Sequence, residues 1–426
     1  MLNLIGVIVA FAIIILLIRK KFNFGLSLIL GSIIVGLFSL QEIEPIDIPK
    51  AFSKALIYDF DSQIFDFSTV ELALLLSFVY ILAKCMQETG AVTKLIDSLR
   101  TIFTKGGTLG AIPAVYGLMP VPGGALFSAP TIDEEGNKYK IDKNQKNFLN
   151  VWFRHIWFPI YPISSAMILI TSAKFANFDI SLIILANVPA FIAAIVIGLY
   201  YLKKFIKNAP EQKIPAKKDY SGLIYLLPPI LPLIVYGVLQ IFGVPQVRSF
   251  LIGVIFSIIL VFYLTNRTKK EYWQILKKSV SFNLALAIFG IMIFREMFEA
   301  SQANIVLKNI IVGSHIPVLF MVILIPLILG VLTGYNLGSV ALSYPILVPF
   351  FPIDIGLATL VGYASLIFIS SVVGYLISPI HLCNVVSSDY LKTDTTRMYK
   401  MYIPSAMFML IVQIIVIVPI MYFSGF

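Results

Sequence analysis

Apolar residues in this chain fall in unbroken runs of about 20 residues, the length at which an α-helix crosses the hydrocarbon of a bilayer. With no water there to satisfy backbone groups, a chain must span as helices or as a closed barrel, and barrel strands alternate apolar and polar positions. Continuous runs therefore predict helices. In the first half they cover 3–18, 24–40, 68–88, 147–172 and 179–202, with a shorter, broken stretch at 106–131. The second half offers 221–242, 248–264, 280–300, 357–380 and 402–423, with a glycine-interrupted stretch at 316–351. Between them, Lys203–Asp219 holds six lysines and two prolines and reads as a solvated linker. The expected fold is an all-α membrane protein of ten transmembrane helices plus two re-entrant hairpins. It divides into two inverted-topology repeats, 1–202 and 221–426, joined by a basic linker at 203–220.

Charge placement tests this plan, because cytoplasmic loops collect Lys and Arg. With the N-terminus outside and both interrupted stretches returning to their own side, the cytoplasmic segments are 19–21, 94–105, 138–154, 203–218, 267–278 and 392–400. They hold 25 basic residues against 5 outside. If either interrupted stretch crossed instead, everything beyond it would flip and the bias would collapse. Both termini are thus expected outside the cytoplasm of a plasma-membrane protein. Leu4–Ile18 is followed, not preceded, by Arg19, Lys20 and Lys21, the reverse of a signal peptide, so it is expected to remain as the first helix.

Internal echoes support duplication. Gly123, Ser128 and Pro130 recur as Gly338, Ser343 and Pro345 at an offset of 215, which Pro189 and Pro404 share. Lys84 with Glu88 recurs as Arg295 with Glu299 at an offset of 211, near the end of the third span of each half. Pro159 and Pro379 follow at 220.

Composition agrees with lipid as the solvent: 59% of the 426 residues are hydrophobic and 13% charged, with a mean hydropathy of +0.92. A net charge of +10 is spread through short loops, with no soluble segment long enough for a nucleic-acid-binding domain. The two cysteines, Cys85 and Cys383, lie in or near apolar segments and indicate no disulfide framework.

The interrupted stretches carry the candidate chemistry. Met119-Pro-Val-Pro-Gly-Gly-Ala-Leu-Phe-Ser-Ala-Pro130 cannot continue a helix through its proline and glycine pairs. A helix resuming near Gly124 would aim free N–H groups and a positive dipole end at a carboxylate or phosphate, with the Ser128 hydroxyl beside Pro122 and Gly123. Thr333-Gly-Tyr-Asn-Leu-Gly-Ser-Val-Ala-Leu-Ser343 offers the equivalent break, with Thr333, Asn336, Gly338, Ser339 and Ser343. Kinks made only for packing would not need hydroxyls and amides gathered at both breaks. The following spans are also interrupted, at Pro159-Ile-Tyr161-Pro-Ile-Ser-Ser165 and at Ser378-Pro-Ile-His381-Leu-Cys-Asn384.

Substrate candidates are therefore Pro122, Gly123, Gly124, Ser128, Tyr161, Ser165, Asn336, Gly338, Ser339, Ser343, His381 and Asn384. Hard oxygens at Ser128, Thr333, Asn336 and Ser378 suit Na+, and His381, with an ordinary pKa of about 6.5, suits H+. No metal beyond Na+ and no other cofactor is expected. A lone His at a helix break is otherwise a hydrogen-bonded structural group, and Arg154 and His155 read as interfacial, with Arg154 placed to steer anions.

Lys84/Glu88 and Arg295/Glu299 put opposite charges on one helix face within spans, where self-pairing competes with a role in substrate or proton binding. Walker, His-Glu-x-x-His and Gly-x-Ser-x-Gly patterns are missing, and the histidines are scattered at 155, 315 and 381, so no enzyme is expected. The expected function is secondary active transport of a small organic anion, a carboxylate, coupled to Na+ or H+ by alternating access. The alternatives are a lipid-linked phosphate flippase and a non-transporting membrane scaffold.

At Met119–Pro130, at Trp157-Phe-Pro-Ile-Tyr-Pro162 and at Ser378-Pro-Ile-His-Leu-Cys383, the chain resembles an integral-membrane family known as domain of unknown function 401. The resemblance covers essentially the whole chain. That family is grouped with the ion transporter superfamily, which includes gluconate, citrate and dicarboxylate carriers. The resemblance implies an inverted-repeat fold with two re-entrant hairpins, an organic anion between their tips, Na+ or H+ as driver, and a homodimer. Where the dicarboxylate/sodium branch has a Ser-Asn-Thr hairpin motif, this chain has Gly123-Gly124 and Asn336.

Overall fold

A computed structural model describes residues 1–103, 106–119, 124–210, 217–314, 316–352 and 354–423. Helix dominates, and the sheet among these residues is a single ladder pairing Tyr58 with Phe65 and Asp59 with Ile64. Eight of the described helices are long and apolar enough to cross a membrane: Leu2–Arg19, Ser68–Glu88, Val188–Ile206, Ser221–Ile241, Gln246–Leu264, Lys269–Ala300, Leu357–Leu391 and Thr396–Phe423. Phe24–Phe38, Val318–Thr333 and Asn336–Phe350 are apolar but shorter.

Local chemistry sets the interruptions. The stretch expected as one span over 147–172 is two helices, Lys143–Arg154 and Ser165–Thr171, separated by ten residues that include Pro159 and Pro162. Each leg has its own start signal. Asp142 accepts from the Asn144 and Gln145 amides while Gln145 returns a bond to the Asp142 amide, a capping box, and Ser164 accepts from the Met167 amide. Likewise 106–131 resolves into Thr108–Gly117 and Ala125–Lys138, the second leg running beyond the expected end. In the second half, Val318–Thr333 ends at Gly334, whose φ of +60° favours a residue without Cβ, and Asn336–Leu347 begins two residues later.

Burial separates a centre from a periphery. The apolar window of Leu357–Leu391 is 83% buried, whereas those of Leu2–Arg19 and Val188–Ile206 are 28% and 33% buried. Leu357–Ile377 packs closely on Val318–Thr333, where Gly374 admits the Leu327 carbonyl so near that any Cβ would collide with it.

Contacts around this centre come in pairs. Leu2–Arg19 packs on Phe24–Phe38 as Leu227–Ile241 packs on Gln246–Leu264. Phe24–Phe38 then lies on Phe282–Ala300, and Gln246–Leu264 on Ser68–Glu88. Thr108–Gly117 packs on Lys143–Arg154 as Val318–Thr333 does on Leu357–Ile377. Finally, Ala125–Lys138 packs on Leu382–Leu391, and Asn336–Leu347 on Ser165–Thr171.

Candidate functional site

Carbonyls at and just beyond the C-terminal end of Thr108–Gly117 accept hydrogen bonds from side chains of the next broken span. Arg154 Nη1 donates to Tyr116 O at 2.8 Å and Nη2 to Met119 O at 3.3 Å. Trp157 Nε1 donates to Ala114 O at 3.0 Å, and Tyr161 OH to Leu118 O at 2.6 Å. A cation at the negative end of a helix is favourable, which gives Arg154 a reason to be buried at 4% exposure. Gly124, the residue before Ala125–Lys138, lies directly on this guanidinium, and a Cβ there would collide with Nη2. Pro122 and Gly123 lie outside the described residues.

Behind the tip, an amide and hydroxyl network joins the two halves. Asn147, Asn150 and Arg154 lie at i, i+3 and i+7 on Lys143–Arg154, and Asn384, Ser387 and Ser388 lie at i, i+3 and i+4 on Leu382–Leu391, so each set shares one helix face. Ser128 Oγ donates to Asn150 Oδ1 at 2.5 Å, and Asn150 Nδ2 donates to Ser387 Oγ at 2.8 Å. Asn147 Nδ2 donates to Ser388 Oγ at 2.9 Å, and Asn384 Nδ2 to Tyr399 OH at 2.9 Å. Tyr399 OH in turn donates to Ser378 O at 2.8 Å.

The second break is similarly bonded. Ser371 Oγ donates to Asn336 Oδ1 at 2.7 Å, and Ser378 Oγ donates to Val331 O at 2.7 Å. Thr333 Oγ1 donates back to Leu329 O, Ser339 Oγ to Pro326 O and Ser343 Oγ to Val340 O. Gly338 rests on the Phe24 ring, and Gly334 on Ile380, next to His381. Ser165, the first residue of its helix, is half-buried.

The two span breaks meet at a pair of histidines. The rings of His155 and His381 are 4.8 Å apart by centroid, and Tyr375 lies 4.1 Å from His381. His155 Nδ1 is 2.6 Å from Val151 O, and Nε2 is 3.2 Å from Tyr375 OH. His155 is 3% exposed and His381 fully buried, and among the described residues neither ring nitrogen of His381 has a hydrogen-bond partner. Arg154 and His155, expected near the interface, are both buried within the protein, at the end of Lys143–Arg154 and the start of the break that follows it.

The charged candidates sit elsewhere. Arg295 pairs with Glu299 at 3.0 Å and with Glu296 at 3.5 Å, and Lys54 reaches Glu296 at 3.6 Å. Lys84 and Glu88 form no ion pair among the described residues; the Lys84 ammonium lies 5.8 Å from the Phe127 ring centre. Arg295 and Glu299 line a cavity of about 310 Å³ with Lys174 and Tyr344. Lys174 also lines a cavity of about 460 Å³ with Glu71 and Arg248. Lys174 Nζ lies 2.7 Å from Asp66 in the segment before Ser68–Glu88. Burial alone would raise the Asp66 carboxyl, but the hydrogen bonds from Lys174 and Ser68 outweigh it and hold the group at about 2.

Asn147, Asn150, Ser371 and Tyr375 take part although none of them was singled out in the sequence. The i, i+3, i+7 spacing of Asn147, Asn150 and Arg154 on one face of an amphipathic helix is the signal that could have found three of the partners. No curated protein matches the chain. A family profile spans residues 3–420, and the chain belongs to the family it defines, described as a protein of unknown function (DUF401).

Proposed function

We propose that the protein is a secondary transporter of a small organic anion, a carboxylate, working by alternating access as carriers of the ion transporter superfamily do. In this reading the chain makes ten crossings and two re-entrant hairpins, Thr108–Lys138 and Val318–Leu347, in two inverted repeats. The supporting observation is reciprocal: the second leg of each hairpin packs on the second leg of the other half's broken span. Such an exchange ties both tips to one place and lets one tilt against the other. A scaffold has no use for interrupted helices that meet around buried histidines and a buried guanidinium.

The anion is expected at the first hairpin tip, between Gly124 and the His155–His381 junction. There Arg154 supplies positive charge, and the start of Ala125–Lys138 supplies the positive end of its helix dipole. The Thr333, Ser339 and Ser343 hydroxyls donate to helix carbonyls and keep their oxygen lone pairs, so with Asn336 and Ser371 they are the oxygens of the second tip. Coupling to Na+ would use these oxygens, and coupling to H+ would use the histidine pair.

Uptake of labelled organic acids into proteoliposomes under an imposed Na+ or H+ gradient tests the proposal. Accumulation that collapses with the gradient supports it. No flux of any organic anion under either gradient, with movement of a labelled lipid-linked phosphate instead, would replace it with the flippase reading.

A further inference from the structure

We propose that His155, His381 and Cys383 together hold one transition-metal ion of the zinc class at the meeting point of the two broken spans. His155 lies more than half the chain away from His381 and Cys383 in sequence. Folding brings one donor atom from each to within 4.8 Å of the others. Tetrahedral zinc, with bonds of about 2.0–2.3 Å, needs donors roughly 3.3–3.8 Å apart, so the cluster must close by about 1 Å, a shift that side-chain rotation can supply.

The donor set selects the ion. Two imidazoles and a thiolate suit zinc and its close relatives, whereas hard Ca2+ and Mg2+ require oxygens. Among the described residues, both His381 nitrogens are fully buried without a hydrogen bond. Leaving such a group unsatisfied is costly, and a bond from one nitrogen to a metal would remove part of that cost.

His155 is already aimed as a ligand. Its Nδ1, 2.6 Å from the Val151 carbonyl, is placed to donate its proton there, which leaves the Nε2 lone pair free to bind. Tyr375 OH, 3.2 Å from that atom, must rotate away. Cys383 sits in the first turn of Leu382–Leu391, where the positive end of the helix favours a negative sulfur. Binding forms two nitrogen–metal bonds and one sulfur–metal bond. The Cys383 thiol gives its proton to water, and nothing is oxidised or reduced. Arg154, the nearest fixed cation in sequence, is drawn towards the Tyr116 and Met119 carbonyls, and the thiolate offsets one charge of the ion.

Because the site is closed, loading belongs in the growing cell. The full chain is expressed in Co2+-supplemented medium and purified, and its metal content and near-ultraviolet absorption are read on the monodisperse protein. Wild type and Cys85→Ser, which alters the other buried cysteine, are expected to carry stoichiometric cobalt with a sulfur-to-cobalt band. Cys383→Ser should lose the band, and His381→Ala should retain on the order of tenfold less metal. Metal-free wild type, or a band that survives Cys383→Ser, overturns the proposal. None of these readings depends on flux, so the transport proposal stands or falls separately.

Discussion

At the scale of single residues, magnitude separates a structural group from a functional one. Hydrogen bonds between membrane helices contribute on average about 0.6 kcal/mol each. Asn336→Ala removes the bond from Ser371, so we expect a loss of about 1 kcal/mol or less, read as a small fall in melting temperature in detergent. If Asn336 serves only packing, uptake should fall in the same modest proportion; we expect it to be abolished with expression intact. Gly124→Leu tests the other tip. Its side chain must displace the Arg154 guanidinium, and we expect normal expression with uptake lost, whereas retained uptake would move the anion away from Arg154.

Elements divide into those legible from letters and those fixed by contact. Apolar runs announced the long helices because a span in lipid must be apolar nearly throughout. Both interruptions were legible too, since Pro159, Pro162 and Gly334 cannot sit within a regular helix without a cost the sequence displays. Partners across the fold were not. His155 and His381 are separated by more than half the chain, and their meeting depends on where two breaks come to rest. Arg154 looked interfacial because a basic residue near a span end usually is, and only the carbonyls of Thr108–Gly117 explain its burial.

Loops between elements carry a prediction of their own. Asp66 has a folded pKa of about 2, below its ordinary 3.8, so its bond to Lys174 contributes stability above pH ~4 that fades as pH falls through about 2. The carboxylate is half exposed, which keeps the effect small. Lys174→Met should lower the melting temperature at neutral pH, and the difference from wild type should vanish near pH 2. A difference that persists there would show that Lys174 acts through something other than Asp66.

For the whole molecule, an arrangement in which both interrupted stretches return to their own side divides the basic residues 25 against 5 and so predicts sidedness. Single cysteines introduced in 203–210 should react with an impermeant thiol reagent only in inside-out vesicles, and cysteines near residue 60 only in right-side-out ones. Labelling of both from the same side would break the inverted repeat. The contrast between a centre buried to 83% and outer helices buried to about a third has a further result. Acyl chains touch the outer helices along most of their length and barely reach Leu357–Leu391. A bilayer thinner or thicker than the protein's own apolar belt should therefore tilt the rim first. Reconstitution across a series of lipid chain lengths should change melting temperature before it changes affinity for the transported anion.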